Sequence, residues 1–346
     1  MKDFIKYNKI NMIVDAAFGS TGKGLIAARI ASDNEIHIAG TTTSPNAGHT
    51  FYIDDKKYVT HLIPVAGIIH DRSAIVFSSE SVIDPDLLEK EMNEFNIDES
   101  RVFIHPRSPV ITQEDKDIEN TPGGIERIAS TQSGVGSARA RKVMRTGILA
   151  ENYFPFKDMC RKYPWKRDLT EIKGLAVLVE TGQGFGLDIN HGFAYPYCTS
   201  RSILPATILG ELGLHPKWMG NCLFSFRTYP IRVGNPIRDG REVGYSGPFY
   251  PDSKETSFQD LGVKNELTTV TKRIRRIATF SMEQYISAIE MIEPTHIFLN
   301  FCNYYLTNEK DIPTFPKKYT PDYIGVGPYT KDVYAWDSEI LERLFK

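Results

Sequence analysis

One short glycine-rich turn constrains this chain more than any other stretch. Residues 19–24 read Gly-Ser-Thr-Gly-Lys-Gly, after the apolar run 10–14 and before the apolar-periodic segment 25–30. This order predicts a buried strand, a tight turn and a helix, whose first N–H groups and dipole favour an anion at the turn. Because Lys23 lies in the turn, phosphate is the expected ligand, and a βα turn that binds nothing is the alternative.

Two known phosphate-binding patterns do not fit this turn. A Walker A loop needs glycine where Ala17 stands and Ser or Thr after the lysine, but Gly24 follows Lys23. The glycine order is GxxGxG, whereas the dinucleotide fingerprint is GxGxxG. The turn therefore resembles a P-loop in position but matches neither motif.

Composition excludes several classes of protein. The 346 residues carry 41 Lys and Arg against 43 Asp and Glu, a formal net charge of -2, so nothing favours nucleic-acid or membrane binding. No apolar run is long enough to span a bilayer, and the first residues lack the apolar core of a signal peptide. Cys160, Cys198, Cys222 and Cys302 lack CxxC spacing, so we expect reduced thiols, no zinc site and a cytoplasmic location.

Strand and helix signals alternate along the chain. Apolar runs predict strands at 36–39, 73–77, 174–180 and 296–300, and helices at 282–292 and at 85–95 after an Asp84 cap. The alternation predicts an α/β fold with a mostly parallel central sheet, helices on both faces and long functional loops, in a single large P-loop-like domain over residues 1–346. The segment 232–262 is rich in Gly, Pro and charge and is expected to be a long mobile loop region.

The segment 41–50 carries the first candidate reactive side chain. His49 lies between Gly48 and Thr50, close to Asn46, in a polar loop rather than in an apolar run. A histidine in such a loop can act as a general acid towards a ligand, and a hydrogen-bonded structural histidine is the alternative.

Three later segments hold polar groups that suit anions and bases. Ser130 and Thr131 precede the basic run 139–145, which suits a phosphate monoester, with a solvated basic helix as the alternative. Gln183, between glycines at a strand end, is placed to bind a base edge or to cap a turn. Hydroxyls and arginines in residues 267–276 suit a small dicarboxylate, with an exposed charged helix start as the alternative.

Taken in order, these segments resemble the adenylosuccinate synthetase family. The matching motifs are GxxGKG at 19–24, NAGHT at 46–50, the run from Ser130 to Arg145, GQG at 182–184, LDIxHG at 187–192, YPYxTS at 195–200, RxRR at 273–276 and the Gly327-Pro328 pair. Each motif alone is weak, but the ordered set covers most of the chain. The resemblance implies a two-step ligase, in which a nucleoside triphosphate phosphorylates the purine 6-oxygen and the amine of aspartate then displaces phosphate at C6.

The resemblance implies a role for each matched residue. The catalytic set would be His49, as general acid, with Ser20, Lys23 and Gln183. The triphosphate would be bound by Thr21, Gly22, Lys23, Gly24, Gly48, His49, Thr50, Asn300, Asn303, Gly327 and Pro328. The nucleoside monophosphate would be bound by Ser20, Asn46, Ser130, Thr131, Gln183, Thr199 and Arg145, the last from the second subunit of a homodimer. Aspartate would be held by Thr269, Val270, Thr271, Arg273 and Arg275, and Mg2+ by Ser20 and Gly48 with the phosphates.

Two departures from the family pattern bear on the substrates. The ordinary enzyme has an aspartate at the position of Ser20, where it takes the N1 proton of inosine monophosphate. Serine is a poor base, but it leaves room beside N1 for the 2-amino group of guanine, and the phage branch that acts on dGMP has the same replacement. The family binds the guanine of GTP with a Thr-Lys-x-Asp segment, whereas this chain has Asn300 and Asn303 there. The sequence therefore predicts a ligase that joins L-aspartate to C6 of dGMP with ATP or dATP, in the host cytoplasm if it is phage-encoded.

Two other functions stay open at this point. An ordinary adenylosuccinate synthetase would act on inosine monophosphate with GTP or ATP, and another residue would supply the base. A nucleotide-binding protein without activity would bind the same ligands and form no product. Retention of His49, Lys23, Gln183 and the arginine cluster argues against this second alternative.

Overall fold

A large, mostly parallel sheet organises the fold. The computed structural model describes residues 1–121, 123–161, 174–306 and 313–337. The strands in these ranges are β1 (Lys9–Asp15), β2 (Ile38–Thr41), β3 (His49–Ile53), β4 (Lys56–Thr60), β5 (Ala74–Phe77), β6 (Val102–Ile104), β7 (Ala176–Glu180), β8 (Met219–Arg227), β9 (Ile231–Arg232), β10 (Ile237–Arg238), β11 (Arg241–Glu242), β12 (Glu255–Thr256), β13 (Arg276–Ala278), β14 (His296–Asn300), β15 (Tyr323–Gly325) and β16 (Val333–Ala335). The α-helices are α1 (Lys23–Asp33), α2 (Val65–Ile69), α3 (Pro85–Glu94), α4 (Gln113–Glu119), α5 (Val135–Met144), α6 (Pro205–Glu211) and α7 (Met282–Ile292).

The main sheet has the strand order β16-β15-β14-β8-β1-β7-β2-β5-β6. Each neighbouring pair is parallel except β15 with β16, which pair antiparallel at one edge. β1 lies in the middle and is buried from Ile10 to Asp15, as expected for a parallel strand that is covered on both faces. The predicted α/β fold with a mostly parallel sheet is confirmed.

Helices cover both faces of this sheet. Met12 and Val14 of β1 pack in one core with side chains of α6 and α7, including Tyr285. Ile13 points to the other face and packs in a second core with Ile26 and other residues of α1. The alternation along β1 follows the two-residue period of a strand, so the apolar side chains of one strand pack in two cores.

Most of the predicted helices and strands are present, but the bounds of some differ from the predicted ones. α3 begins after Asp84, whose side chain accepts a hydrogen bond from the N–H of Leu87, as the predicted cap requires. The strand predicted at 36–39 lies later, at β2. Within the described ranges, no helix combines the length and the apolar character needed to cross a membrane. The four cysteines are free thiols.

The segment 232–262 differs from the expected mobile loop. It contains β10, β11 and β12, and β12 pairs with β13, which pairs in turn with β9. Tyr250, Phe258 and Leu261 are buried. A few large apolar side chains therefore pack this Gly- and Pro-rich segment against the rest of the molecule, although its average composition is that of a loop.

The carboxyl ends of the central strands lie side by side and present their following loops together. The glycine turn follows β1, residues 42–48 follow β2, residues 181–184 follow β7, and Phe301 follows β14. Ligands of open parallel sheets bind outside this edge, because the loops converge there.

Candidate active site

Two cavities open at this edge and share one wall. The first has a volume of about 210 Å³ and the second about 690 Å³. The residues that line both are Ser20, Lys23, Gly48, His49, Thr268, Thr269 and Arg275. Because two bound ligands can react only where their reacting atoms meet, the shared wall is the place for chemistry.

The first cavity collects most residues predicted to bind the monophosphate and aspartate. These are Ser20, Asn46, Ser130, Thr131, Gln183, Thr199, Thr269, Val270, Thr271 and Arg275. Lys23, Arg232 and Arg275 add positive charge, and no carboxylate from the described part of the chain lines this cavity. The lining therefore suits ligands that carry phosphate and carboxylate groups.

The second cavity collects the residues predicted to bind the triphosphate. They are Thr21, Gly22, Lys23, Gly24, Gly48, His49, Thr50, Asn300, Asn303, Gly327 and Pro328. Its volume of about 690 Å³ lies inside the range of about 300–1,000 Å³ usual for small-molecule sites. The first turn of α1, at Lys23, adds the positive end of a helix dipole.

Two predicted residues, Arg273 and Arg145, line neither cavity. The N–H of Arg273 donates to Thr268 Oγ1, and its Nη1 is buried without a hydrogen-bond partner among the described residues. Arg145 is exposed at the end of α5. Contact of Arg273 with aspartate and entry of Arg145 into another subunit stay predictions.

Asp15 organises the glycine turn. Its carboxylate accepts hydrogen bonds from three backbone N–H groups in residues 17–21, from the Thr21 hydroxyl at 2.7 Å and from the Lys23 ammonium at 3.1 Å. Lys23 also donates to the carbonyl of Gln183 at 3.2 Å, which ties the turn to the loop after β7. No motif marked Asp15 in advance, although a carboxylate that ends an apolar strand was a signal for it. The Asp15 carboxylate is fully buried and accepts five hydrogen bonds. It therefore fixes the position of the Lys23 ammonium, which lines the ligand cavities.

Asn300 braces the same turn from β14. Its Nδ2 donates to the carbonyl of Thr21 at 3.1 Å, and its Oδ1 accepts from the N–H of Phe301 at 2.8 Å. Gly22 has a φ of +92°, and a β-carbon there would lie 1.9 Å from Asn300 Nδ2. The Asn300 amide thus supports the turn while it lines the second cavity, and Asn303 lines the cavity beside it. Adenine recognition by these asparagines stays a prediction.

We expect Gly22→Ala to distort the glycine turn. The new β-carbon would have to displace Asn300, and the left-handed backbone disfavours any side chain, so we expect a loss of about 1–3 kcal/mol in the free energy of unfolding. The KM for the predicted nucleoside triphosphate should rise in parallel. Gly213→Ala is the matched control, because Gly213 has a φ of +71° with nothing within 4 Å of a built β-carbon. Chemical denaturation and steady-state kinetics test this, and equal effects of both variants on the KM would contradict it.

His49 is held by a buried carboxylate. Its Nδ1 lies 3.2 Å from Oε2 of Glu180, and Oε1 of Glu180 accepts from the N–H of Ala66 at 3.1 Å. Glu180 is fully buried and His49 is 6% exposed. Nε2 of His49 has no hydrogen-bond partner among the described residues, so it is the ring nitrogen left for a ligand. A carboxylate on the opposite nitrogen fixes the orientation of the ring.

Gly48 packs closely against Thr269, and this contact places His49 beside the loop that contains residues 269–271. A β-carbon at Gly48 would lie 2.7 Å from Cγ2 of Thr269, so only glycine lets the two loops approach this closely. The predicted general acid and the predicted aspartate loop therefore share the wall between the cavities.

Gln183 and Ser20 face the first cavity with unusual backbones. Their φ values are +71° and +56°, a left-handed conformation that is uncommon for residues other than glycine. Gln183 Nε2 donates to Asn46 Oδ1 at 2.9 Å, which joins two residues predicted to contact the same nucleotide. Such backbone strain is typical of ligand sites, where the surrounding structure maintains it.

Two charged residues that line the cavities, Arg232 and Glu266, belong to no sequence motif that could have predicted them. Arg232 is 2% exposed and lines the first cavity, with its guanidinium 3.8 Å from the ring centroid of Phe18. Burial lowers the pKa of Arg232 to about 10. Glu266 lines the second cavity and forms an ion pair with the buried Arg227.

Comparisons with known proteins assign the chain to a family. The model of the adenylosuccinate synthetase family matches residues 12–169 and 167–340. The N6-succino-2-amino-2'-deoxyadenylate synthase of Salmonella phage PMBT28 is 36% identical over 318 residues, 86% of each chain. The adenylosuccinate synthetase of Pyrococcus horikoshii is 30% identical over 283 residues, 79% of this chain and 77% of that one.

A solved structure supports the same assignment. It is the succinoaminodeoxyadenylate synthetase of cyanophage S-2L bound to dGMP and to dATP as an energy donor, with 31% identity and a TM-score of 0.79. The match covers 98% of this chain and 99% of that one. This chain therefore belongs to the adenylosuccinate synthetase family.

Proposed function

We propose that this protein joins the amine of L-aspartate to C6 of dGMP at the expense of ATP or dATP. The product would be 2-amino-2'-deoxy-N6-succinyl-AMP, a step towards 2-aminoadenine in DNA. The chain is a carbon–nitrogen ligase by family. The observation that carries the choice of substrate is Ser20, a small neutral residue on the wall shared by the two cavities.

The position of Ser20 favours guanine over hypoxanthine. No carboxylate of the described chain lines the first cavity, and Asp15 in the same turn is fully buried and occupied by five hydrogen bonds. The ordinary reaction on inosine monophosphate therefore lacks a base there. A serine hydroxyl accepts a hydrogen bond from a 2-amino group, which guanine has and hypoxanthine lacks. Phage synthases named for the 2-amino product support the same choice.

The arrangement supports a phosphorylation followed by a displacement. In the first step the 6-oxygen attacks the γ-phosphorus, the bond to the β-phosphate breaks, and N1 loses its proton through Ser20 and water or after phosphorylation. In the second step the aspartate amine attacks C6, phosphate leaves, and the amine loses a proton. His49 Nε2 stabilises the charge that develops on the 6-oxygen and on the transferring phosphoryl group, Lys23 holds the phosphates, and Gln183 orients the base.

Mg2+ fits this wall as an ion held mainly by the substrate phosphates. The described residues contain no cluster of three or more His, Cys, Asp or Glu that could hold a metal ion. Ser20 and Gly48 offer neutral oxygens on the shared wall, and Mg2+ commonly combines few protein oxygens with phosphates and water. When bound, the ion offsets the negative charge of the phosphates.

A homodimer belongs to the same proposal. Two large apolar side chains directly precede Arg145 at the end of α5 and are exposed, Val143 at 77% and Met144 at 70%. Large exposed apolar groups that lie close together are typical of protein interfaces. A second copy on this surface would cover it and would bring Arg145 to the phosphate of the partner's nucleotide.

We expect Arg145→Ala to lower activity by about 10²-fold, because a buried charged contact to phosphate would be lost. Mixing it with a His49→Ala variant should restore about a quarter of the wild-type activity, since half of the dimers are mixed and each has one intact site. Activity of the mixture against each variant alone measures this. No restoration after subunit exchange would contradict the shared site.

The reaction is tested by phosphate release with L-aspartate, Mg2+ and ATP or dATP, comparing dGMP, GMP and inosine monophosphate. We expect turnover with guanine nucleotides and a product with the mass of the aspartate adduct. Turnover confined to inosine monophosphate would make the protein an ordinary adenylosuccinate synthetase. Nucleotide binding without product over long incubation would make it a non-catalytic homologue.

A further inference from the structure

One ion pair, between the buried Arg227 and the partly exposed Glu266, contacts both the glycine turn and the second cavity. Arg227, at the end of β8, is fully buried. Its Nη1 donates to the carbonyl of Ser20 at 3.1 Å and to Oε2 of Glu266 at 3.2 Å, and its Nη2 donates to Oε1 of Glu266 at 2.5 Å. Arg227 therefore holds the backbone of Ser20, which lines both cavities. Its bidentate ion pair with Glu266 restricts the orientation of the guanidinium.

Glu266 extends the pair into the 266–275 loop, which carries the predicted aspartate contacts. The carbonyl of Glu266 accepts from the N–H of Arg275 at 2.9 Å, and Leu267 pairs with Ile274 in an antiparallel bridge. The loop thus closes on Glu266. Burial raises the pKa of Glu266, but Arg227 outweighs this effect and holds the pKa below its usual range. The carboxylate stays charged, and the loop stays tied to Arg227.

Two aromatic residues connect the pair to the far side of the second cavity. The ring centroid of Phe301 lies 3.9 Å from Cζ of Arg227, and the hydroxyl of Tyr304 donates to Oε1 of Glu266 at 2.8 Å. Both residues follow β14 and line the second cavity near Asn300 and Asn303. A ligand in this part of the cavity contacts the groups that pack on the ion pair.

We infer that Arg227, Glu266 and Tyr304 are positioning residues that couple the triphosphate site to the aspartate loop. The inference rests on the proposed function, which assigns these ligands to the two cavities. A nucleoside triphosphate against Phe301 and Tyr304 favours one orientation of the ion pair, and that orientation sets Arg275 and the backbone of Ser20. The triphosphate thereby raises the affinity for aspartate, and linkage requires aspartate to raise the affinity for the triphosphate by the same factor.

The test is the aspartate Kd of the dGMP-bound protein, measured by calorimetry with and without a non-hydrolysable ATP analogue. We expect the analogue to tighten aspartate binding about 10-fold in the wild type, a typical coupling. Tyr304→Phe removes the hydroxyl that donates to Glu266, and we expect it to reduce that factor to about 3-fold or less. Tyr305→Phe is the matched control, because Tyr305 lies next along the same turn and its hydroxyl donates to the carbonyl of Thr228 instead.

A wild-type coupling factor retained by Tyr304→Phe would overturn the inference, and so would the absence of coupling in the wild type. Glu266→Gln serves as a second variant, with an expected rise in the KM for aspartate larger than any fall in kcat. A merely structural role would lower thermal stability in both tyrosine variants and leave the coupling factor unchanged. Failure of the proposed function is a different result, namely no aspartate adduct from wild-type protein with dGMP.

Discussion

The His49→Ala variant should have a kcat about 10³-fold below that of the wild type, in the range expected for loss of a general acid. The reason is the orientation of the ring, whose Nδ1 is held by buried Glu180 while Nε2 has no partner among the described residues. No other histidine lines either cavity in the part of the chain that the structure describes. Single-turnover formation of the aspartate adduct measures the loss, and the Kd for dGMP should change little.

Glu180→Gln provides the companion to this experiment. Glutamine keeps the shape of the side chain but removes the negative charge that orients His49, so we expect a loss of about 10–100-fold. Combining it with His49→Ala should add little, because both changes act on the same group. Wild-type kcat in His49→Ala would remove His49 from the chemistry and leave it as a structural residue.

The Ser20→Asp variant should reverse the choice of substrate. The aspartate is larger and charged beside the 2-amino group of guanine, so we expect turnover of dGMP to fall about 10²-fold, as for overpacking in a closely packed site. It also supplies a base for the N1 proton of inosine monophosphate, whose turnover should appear. The backbone tolerates the change, since φ at Ser20 is +56° and Asp adopts this conformation more readily than most residues.

Ser20→Ala separates the two effects of this residue. Alanine keeps the space for guanine but loses the hydroxyl, so dGMP turnover should fall about 10-fold, the cost of one hydrogen bond. Inosine monophosphate should gain nothing, because alanine is not a base. Paired kcat/KM values for both nucleotides measure the outcome, and an unchanged ratio in Ser20→Asp would show that another residue selects the substrate.

Local sequence was sufficient to predict the secondary-structure elements and the chemical classes of ligand. The strand that ends at Asp15, the glycine turn and α1 are encoded by adjacent residues, so their order could be predicted. Hydroxyls beside arginines indicated phosphate and carboxylate ligands, because these groups are also adjacent in the sequence. The structure brings most of these residues into two cavities, while Arg145 and Arg273 lie outside them.

Contacts between distant residues were decided by the tertiary structure alone. His49 and Glu180 are 131 residues apart, and they meet because β2, whose following loop leads to His49, pairs with β7, which ends at Glu180. Asn300 and the glycine turn meet because β14 pairs with β8 and β8 pairs with β1. Arg227 ends β8 and Glu266 lies in the loop before β13, and the pairing of β13 with β9, the next strand after β8, brings the two side chains together. The sequence by itself determined which residues could bind and react, because hydrophobic period and turn chemistry are local. Strand order decided which of them face one another, because it depends on the packing of the whole sheet and leaves no signal in any short stretch of the chain.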